Sequence, residues 1–275
     1  MAGARVLATG LGLGESPRWH DGRLWVCDWV AGEVLAFDET GGREVRLRMS
    51  GLPFSIDWLP DGRPVLTSDR GVVVAEDGGL AAYGGTGEGW NEIVVDPRGQ
   101  VFVNRAGFDL MAGEEPGPGA LAVITPDGAT REVAGDVWFP NGMAVSADGS
   151  TLIVAESYGR CLTAFSIEPD GGLSDRRPWA DLGDANPDGI CLDEEGAIWY
   201  ADVPHRRCVR VREGGEVLDV VEVDRGCFAC MLGGADGRTL FIVAAAWGGT
   251  DAIGAGARTG QVLTYRAPAP HAGRP

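Results

Sequence analysis

The 275-residue sequence has few basic residues, with 23 lysines and arginines against 40 aspartates and glutamates and a formal net charge of −17. Nucleic acids and anionic membranes are polyanions that bind through basic patches, so this charge argues against both as partners. The sequence also lacks an apolar run of membrane-spanning length, and its start lacks the basic region and long apolar stretch of a signal peptide. We therefore expect a cytoplasmic protein that binds a small-molecule substrate, as a monomer or weak homodimer.

Histidine is scarce, with three in the chain. His20 falls in a predicted hairpin turn and His271 in the C-terminal segment, so only His205 is placed to approach a site. A Ser-His-Asp triad is therefore hard to assemble. The segment Gly14-Glu15-Ser16-Pro17 is also not a nucleophile elbow, because no glycine follows the serine at the required spacing.

The six cysteines do not form the two pairs of a zinc site. Most lie within predicted strands, which is consistent with small buried thiols in a reducing compartment. Cys227 and Cys230 match a C-x-x-C spacing, but they lack the βαβ context of a redox motif. We interpret them as residues of a core strand, with redox or metal chemistry as the alternative.

What the sequence does contain is a repeat, represented by residues 139–149 and found six times. Its turn glycines are 40, 37, 50, 47 and 41 residues apart, at Gly22, Gly62, Gly99, Gly149, Gly196 and Gly237. Short apolar runs flank each turn, and repeats of this length with paired short strands are typical of propeller blades. We predict an all-β, six-bladed β-propeller over residues 1–266, followed by a Pro/Ala-rich tail over 267–275.

The first and last predicted strands complement each other. The last repeat offers three strands instead of four, whereas residues 4–8 form a short strand that belongs to no hairpin. We predict that this N-terminal strand closes the ring by pairing with the last blade, which also removes an exposed sheet edge.

Each repeat places one residue at the start of its first hairpin strand, and these are Glu15, Ser55, Asn91, Asn141, Asp188 and Ala229. The first strands of a propeller surround a central channel, so these positions should form a ring at one end of it. Four of the six carry side-chain amide or carboxylate oxygens, and unpaired polar groups in a buried channel cost roughly 2–7 kcal/mol each.

A bound cation would remove this cost. The ring therefore predicts one divalent metal ion with Glu15, Asn91, Asn141 and Asp188 as ligands. Their oxygens favour Ca²⁺, with Mn²⁺, Mg²⁺ or Zn²⁺ as alternatives. For a single copy, an Asn-Gly or Asp-Gly pair is explained equally well as a turn dipeptide.

A second group of charged residues should face the same mouth. The end of the second strand lies beside the start of the first in an antiparallel hairpin, which places Asp28, Arg105, Glu156 and Asp202 there. Ordinary surface ion pairs are the alternative for each of them.

Residues 106–119 interrupt the third blade with a segment rich in glycine and proline. This insertion follows Arg105 and contains Phe108, Leu110 and Met111, which are costly in a freely solvated loop. We interpret it as a lid over the mouth, with a solvated surface loop as the alternative.

Several motifs fall at the ring positions and in the last blade. They are Gly14-Glu15-Ser16-Pro17, Asn91-Glu92-Ile93-Val94-Val95-Asp96, Pro140-Asn141-Gly142-Met143, Pro187-Asp188-Gly189-Ile190-Cys191, and Cys230 followed by Gly233-Gly234. Together they resemble the senescence marker protein/gluconolactonase family of regucalcin-like six-bladed propellers, over nearly the whole chain.

This resemblance implies a divalent metal held by Glu15, Asn141 and Asp188. It implies that Asn91 binds substrate, as in the lactonases, or joins the metal shell, as in the related diisopropyl fluorophosphatase-like enzymes. The sequence departs from the sugar-lactonase pattern at Gly89, where those enzymes often carry arginine, and at Glu92, where the motif has aspartate.

The ring and the resemblance together predict a metal-dependent lactonase or related ester hydrolase. The metal would polarise the carbonyl and activate water, and Asp188 or Glu156 would take the proton. The candidate substrate-binding residues are Asn91, Glu92, Arg105, Asp202 and His205. The alternative is a calcium- or ligand-binding propeller, or a non-hydrolytic enzyme on the same metal site, such as the condensing strictosidine synthase-like relatives.

Overall fold

A computed structural model describes residues 3–87, 89–110, 112–249 and 256–273 of the chain. Within these residues the chain forms 24 strands in six four-stranded antiparallel sheets. No helix in this part of the chain is long and apolar enough to cross a membrane. The predicted all-β, six-bladed propeller is confirmed.

Blades one to three follow the chain in order. Their strands are β2 Gly14–His20, β3 Arg23–Asp28, β4 Glu33–Phe37, β5 Arg43–Arg48, β6 Ile56–Trp58, β7 Pro64–Ser68, β8 Gly71–Glu76, β9 Gly79–Gly84, β10 Ile93–Val95, β11 Val101–Arg105, β12 Gly119–Ile124 and β13 Thr130–Val137.

Blades four to six complete the circle with the help of the N-terminal strand. Their strands are β14 Pro140–Val145, β15 Thr151–Glu156, β16 Cys161–Ile167, β17 Leu173–Asp181, β18 Pro187–Leu192, β19 Ile198–Asp202, β20 Arg207–Val211, β21 Val217–Glu222, β22 Gly226–Gly233, β23 Thr239–Ala245, β24 Gly260–Arg266 and β1 Arg5–Leu11.

The first strands of the blades contact one another around the ring. Contacts run from β2 to β6, β10, β14, β18 and β22 in turn, and β22 contacts β2 again. Apolar side chains fill the spaces between neighbouring blades, as where Trp25 and Cys27 of blade one pack against Phe54 and Ile56 of blade two. The six innermost strands therefore enclose the channel that the repeat predicted.

The ring closes as expected. The N-terminal strand β1 pairs antiparallel with β24, with Arg5 opposite Thr264 and Leu11 opposite Gly260, and supplies the fourth strand of blade six. The tail beyond β24 packs against the propeller: the backbone N–H of His271 donates to Gly237 O at 3.0 Å and that of Ala272 to Leu192 O at 3.1 Å. These bonds attach the tail to blades five and six beside their first hairpin turns.

The glycines that define the repeat occupy the first hairpin turn of each blade. All six have φ between +70° and +87°, a region that favours glycine because other residues clash there. The recurring glycine is thus a requirement of the turn.

The cysteines are free thiols in the described part of the chain. Cys191, Cys208, Cys227 and Cys230 lie together in the apolar core between blades five and six. Among the described residues, no three histidine, cysteine, aspartate or glutamate side chains are grouped as metal ligands. The location of Cys227 and Cys230 in the apolar core supports their interpretation as residues of a core strand.

Candidate metal centre and active-site cavity

A cavity of about 970 Å³ lies at the end of the channel where the first strands begin. Glu15, Asn91, Asn141 and Asp188 all line it. The structure therefore brings together the four oxygen-bearing positions of the ring, which are far apart in the sequence.

Strand irregularities direct these side chains into the cavity. The register between the first and second strands shifts between Glu15 and Arg18 in blade one, between Pro140 and Met143 in blade four, and between Pro187 and Ile190 in blade five. Such bulges bend a strand and re-aim its side chains, and they are common beside active sites.

The glycines of the Pro-Asn-Gly and Pro-Asp-Gly motifs let the innermost strands approach closely. A Cβ on Gly142 would lie 2.5 Å from the backbone nitrogen of Ile190 and 2.6 Å from Asp188 O. A Cβ on Gly189 would lie 2.4 Å from the Cβ of Ala229. Both contacts are too short for any side chain, so Gly142 allows blades four and five to approach closely and Gly189 does the same for blades five and six.

Asn104 links the neighbouring ligand candidates of blades three and four. Its side-chain oxygen accepts a hydrogen bond from the Glu92 N–H at 3.2 Å, and its amide donates to Asn141 O at 2.7 Å. Its own backbone carbonyl accepts from the Asn91 N–H at 2.7 Å. Asn104 is fully buried and holds Asn91 and Asn141 in place.

Glu15 and Asp188 lie where their surroundings disfavour the ionised form of a carboxyl group. Burial, followed by the charges of Asp188 and Glu92, raises the pKa of Glu15 well above its ordinary value. Burial, followed by the charge of Glu92, raises the pKa of Asp188 in the same way, although a hydrogen bond from Asn141 opposes the shift. Among the ion pairs of the described residues, none involves either carboxylate.

This donor set fits a hard divalent cation. Two carboxylates that repel each other, with the amides of Asn91 and Asn141 beside them, offer the oxygen ligands that Ca²⁺ prefers. Because no group of three acidic, histidine or cysteine side chains forms in the described residues, neutral oxygens must complete any such site.

Glu92 lines the cavity, but its charge is already paired. Arg18 of blade one reaches it at 3.3 Å and also donates to Ile93 O at 2.7 Å, and Ser55 donates to its other oxygen at 3.1 Å. Blade two separates blades one and three, so this buried pair links two blades that are not adjacent. Glu92 thus lines the cavity with its charge held by Arg18.

Arg105 and the insertion after it form one side of the cavity. Arg105, Phe108, Leu110 and Glu114 all line it, and Arg105 also pairs with Glu132 at 3.2 Å. The segment from residue 106 to 110 therefore forms part of the cavity wall, and its role as a lid stays a prediction. Met111 is outside the described residues.

Glu156 is not among the described residues that line the cavity. Its carboxylate is buried and accepts from the Trp138 N–H at 2.7 Å, from Thr163 Oγ1 at 2.5 Å and from Arg176 at 3.1 Å. Both oxygens are thus engaged in joining β15 to its neighbours.

Asp202 and His205 also lie outside the described lining of the cavity. Asp202 is fully buried and accepts from the Asn186 N–H at 3.3 Å, from Arg207 Nε at 2.9 Å and from His205 Nδ1 at 2.9 Å. Together these bonds hold the connection from β19 to β20. The structure thus gives Asp202 and His205 a local role beside the cavity.

Blades two and six differ from the predicted ring. The Ser55 hydroxyl points to Asn91 O at 2.7 Å, and Ser55 is not among the described lining residues. In blade six a bulge between Cys227 and Ala229 presents Phe228 to the cavity in place of Ala229. This bulge lies farther from the turn glycine than those of blades four and five, so a count from that glycine does not detect it.

The aromatic residues of the cavity were not predicted from the sequence, apart from Phe108. Five more line it, and they are Trp29, Phe139, Tyr158, Phe228 and Trp247. Phe228 lies within β22, and the other four follow or precede strands of blades one, four and six at the end where the ring residues lie. Their proximity to the ring motifs was the signal in the sequence that could have identified them as cavity residues.

Comparison with known proteins agrees with this architecture. The pentonolactonase XacC of Haloferax volcanii is 26% identical over 253 residues, which cover 81% of this chain and 84% of the relative. The 6-deoxy-6-sulfogluconolactonase of Pseudomonas putida is 27% identical over 251 residues, covering 84% and 82%.

Solved structures share the fold. The regucalcin of Agrobacterium tumefaciens, a calcium-binding protein, has a TM-score of 0.80 at 22% identity, over 98% of this chain and 97% of that one. A gluconolactonase of Xanthomonas campestris has a TM-score of 0.75 at 22% identity, over 98% and 96%. The model of the SMP-30/gluconolactonase/LRE-like region matches residues 13–246, from just before Glu15 to just past β23, and the chain therefore belongs to this family.

Proposed function

We propose that the protein is a divalent-metal-dependent lactonase that opens a small lactone to its hydroxy acid. The observation that carries the proposal is the pair Glu15 and Asp188, two carboxylates in one cavity with raised pKa values and no ion-pair partner among the described residues. Further support comes from the relatives, two of which are named as lactonases of sugar-derived lactones.

Glu15, Asn141 and Asp188 would hold the metal, with Asn91 as a fourth ligand or a substrate contact. Ca²⁺ is the first candidate because all four side chains offer oxygen. A bound divalent cation would polarise the lactone carbonyl and lower the pKa of a water molecule.

The protein's own groups would manage the proton and the substrate. Asp188 would accept a proton as the water oxygen bonds to the carbonyl carbon, and would return it to the ring oxygen as the carbon–oxygen bond of the ring breaks. Glu156 is a weaker candidate for this role because its oxygens are already hydrogen-bonded away from the described lining. Arg105 lines the cavity and would attract the carboxylate of the product.

The test is acid release from a lactone panel. Protein freed of metal by chelation would be assayed alone and with Ca²⁺, Mn²⁺, Mg²⁺ or Zn²⁺ added back, with Asp188→Asn as the matched variant. We expect turnover by the wild type only when metal is present. Activity that persists in protein verified to be metal-free would contradict the metal dependence.

The same assay separates the main alternatives. Tight Ca²⁺ binding without turnover of any lactone or ester would favour a calcium- or ligand-binding propeller. Metal-dependent conversion of another substrate without hydrolysis would favour a non-hydrolytic enzyme on this site.

A further inference from the structure

We infer that the substrate of this cavity carries a flat apolar group, such as an aryl ring, on its lactone, instead of the chain of hydroxyls of an aldonolactone. The inference rests on the proposed lactonase function and concerns the part of the substrate that does not react. It follows from the chemistry of the cavity walls.

One wall is a stack of three aromatic rings from blades three and four. Phe139 and Tyr158 stack with ring centroids 4.8 Å apart, and Phe108 of the insertion lies 5.4 Å from Phe139 and 5.8 Å from Tyr158. All three line the cavity, and Tyr158 is 39% exposed. Exposed aromatic surface gathered at one place marks a binding site for an apolar group.

The opposite wall, from blades six and one, is also aromatic. Phe228 and Trp247 meet edge to face with centroids 5.4 Å apart, and Trp29 lines the same side. The Trp29 indole N–H donates to Phe54 O at 2.7 Å, so that donor is already used inside the protein. In a ring of six blades, three and four face six and one, so a flat group would fit between the two aromatic walls.

Several polar groups of the walls already make hydrogen bonds within the protein. Ser157 Oγ donates to Pro187 O at 2.7 Å, and the Asn186 amide donates to Ser157 O at 3.0 Å. Glu114 accepts from the Asp109 N–H at 2.8 Å. Hydroxyls along a sugar chain would compete with these bonds or lose their own hydration, which weakens binding.

The backbone at Phe139 supports a specific role for its ring. Its φ is +53°, in the left-handed region that bulky residues rarely adopt. Such conformations persist mainly where the surrounding structure requires them, and they concentrate at ligand sites. The conformation lets Phe139 O accept from the Ser157 N–H at 3.1 Å while its ring joins the aromatic wall.

The cavity has room for such a substrate. Its volume of about 970 Å³ is at the upper end of the range of about 300–1,000 Å³ found for sites of drug-sized ligands.

The experiment compares three five-membered lactones with the metal-loaded enzyme: γ-phenyl-γ-butyrolactone, unsubstituted γ-butyrolactone and D-ribono-γ-lactone. We expect kcat/KM for the phenyl lactone to exceed that for the ribonolactone by at least about 100-fold, the upper part of the range of discrimination by an apolar pocket. A preference for the ribonolactone would overturn the inference and leave the lactonase proposal intact. Hydrolysis of none of the three, or of any other lactone in the panel, would instead overturn the lactonase proposal.

Two variants test whether the aromatic walls cause the preference. Phe139→Asn removes the ring and places a residue that tolerates positive φ, and Trp247→Ala removes a ring that is 41% exposed. Each should lower the ratio of kcat/KM for the phenyl lactone to that for γ-butyrolactone about tenfold, mainly through KM. Trp138→Ala is the control, because Trp138 is 43% exposed and is not among the described lining residues. An unchanged ratio in both wall variants, with folding verified by thermal unfolding, would overturn the assignment.

Discussion

Asp188 and Asp202 lie on paired strands of blade five, β18 and β19, and yet their charges have different surroundings. Asp202 is opposite Pro187, the residue before Asp188, so the two aspartates are close neighbours in the sheet. Three donors meet the Asp202 carboxylate, two of them from Arg207 and His205. Asp188 has a neutral amide partner in Asn141, and burial and the charge of Glu92 raise its pKa.

The difference contrasts a carboxylate that ion pairs neutralise with one that has no ion-pair partner among the described residues. The Asp202 carboxylate stabilises the fold because charge-assisted hydrogen bonds neutralise its charge. The uncompensated charges at Asp188 and Glu15 oppose folding. A buried charge that costs stability and is nonetheless present indicates a role outside folding, such as binding a cation. The same change, aspartate to asparagine, can be made at both positions.

The largest effect is expected for Asp188→Asn on catalysis. Loss of the proton acceptor and of a charged metal ligand should lower kcat/KM by about 10²- to 10⁴-fold. Steady-state kinetics with the same excess of metal for both proteins would measure it. Asp202→Asn, the matched control, should retain activity within a few fold, and an equal loss in both variants would contradict the distinction drawn between them.

A smaller effect concerns stability, and substitutions of the two aspartates should change the free energy of unfolding in opposite directions. Asp202→Asn removes the charge that pairs with Arg207 and His205, and should lower the free energy of unfolding by about 2 kcal/mol. Asp188→Asn removes a charge that burial disfavours, and should raise the free energy of unfolding of the metal-free protein. Denaturant unfolding in the presence of chelator would show this, and destabilisation of the metal-free protein by Asp188→Asn would count against an uncompensated charge there.

A third effect is the pH dependence of the metal-free protein. A carboxyl whose pKa is raised by folding binds more protons in the folded than in the unfolded state, so its stabilising contribution is complete below the unfolded pKa of about 4 and is lost as the pH rises through the raised pKa. Glu15 and Asp188 both have raised pKa values, so stability should fall over this interval. Each unit by which folding raises a pKa corresponds to about 1.4 kcal/mol of stability.

Thermal unfolding of the chelated protein as a function of pH would measure this dependence. The fall in stability above pH 4 should be smaller in a Glu15→Gln/Asp188→Asn double variant than in the wild type. Identical profiles for the two proteins would show that these groups do not titrate as described.

The sequence predicts the fold because each level of the pattern agrees with the others. Six turns require a glycine at positive φ, and this makes the repeat visible. The missing fourth strand of blade six identifies the partner of β1. Ring residues such as Glu15 and Asn141 follow from the same phase, since the first strands of all blades begin at one end of the channel.

The sequence could not separate Glu156 and Asp202 from Asp188. All three were placed at the same end by their position on a strand, but their roles depend on partners from elsewhere, such as Arg176 for Glu156. Phe228 was missed for another reason, because the bulge beside it lies farther from the turn glycine than those of blades four and five. Local patterns fix which end of a blade a residue occupies, whereas tertiary contacts decide whether its charge is neutralised.

The most direct test of the central claim is a calorimetric titration of metal-free protein with Ca²⁺, and with Mn²⁺ in parallel. The account predicts one high-affinity divalent ion per chain in the wild type and in Asp202→Asn, and no such binding in Asp188→Asn or Glu15→Gln. Binding of the ion with the same affinity by the wild type and Asp188→Asn would contradict the claim that these two carboxylates form the metal site.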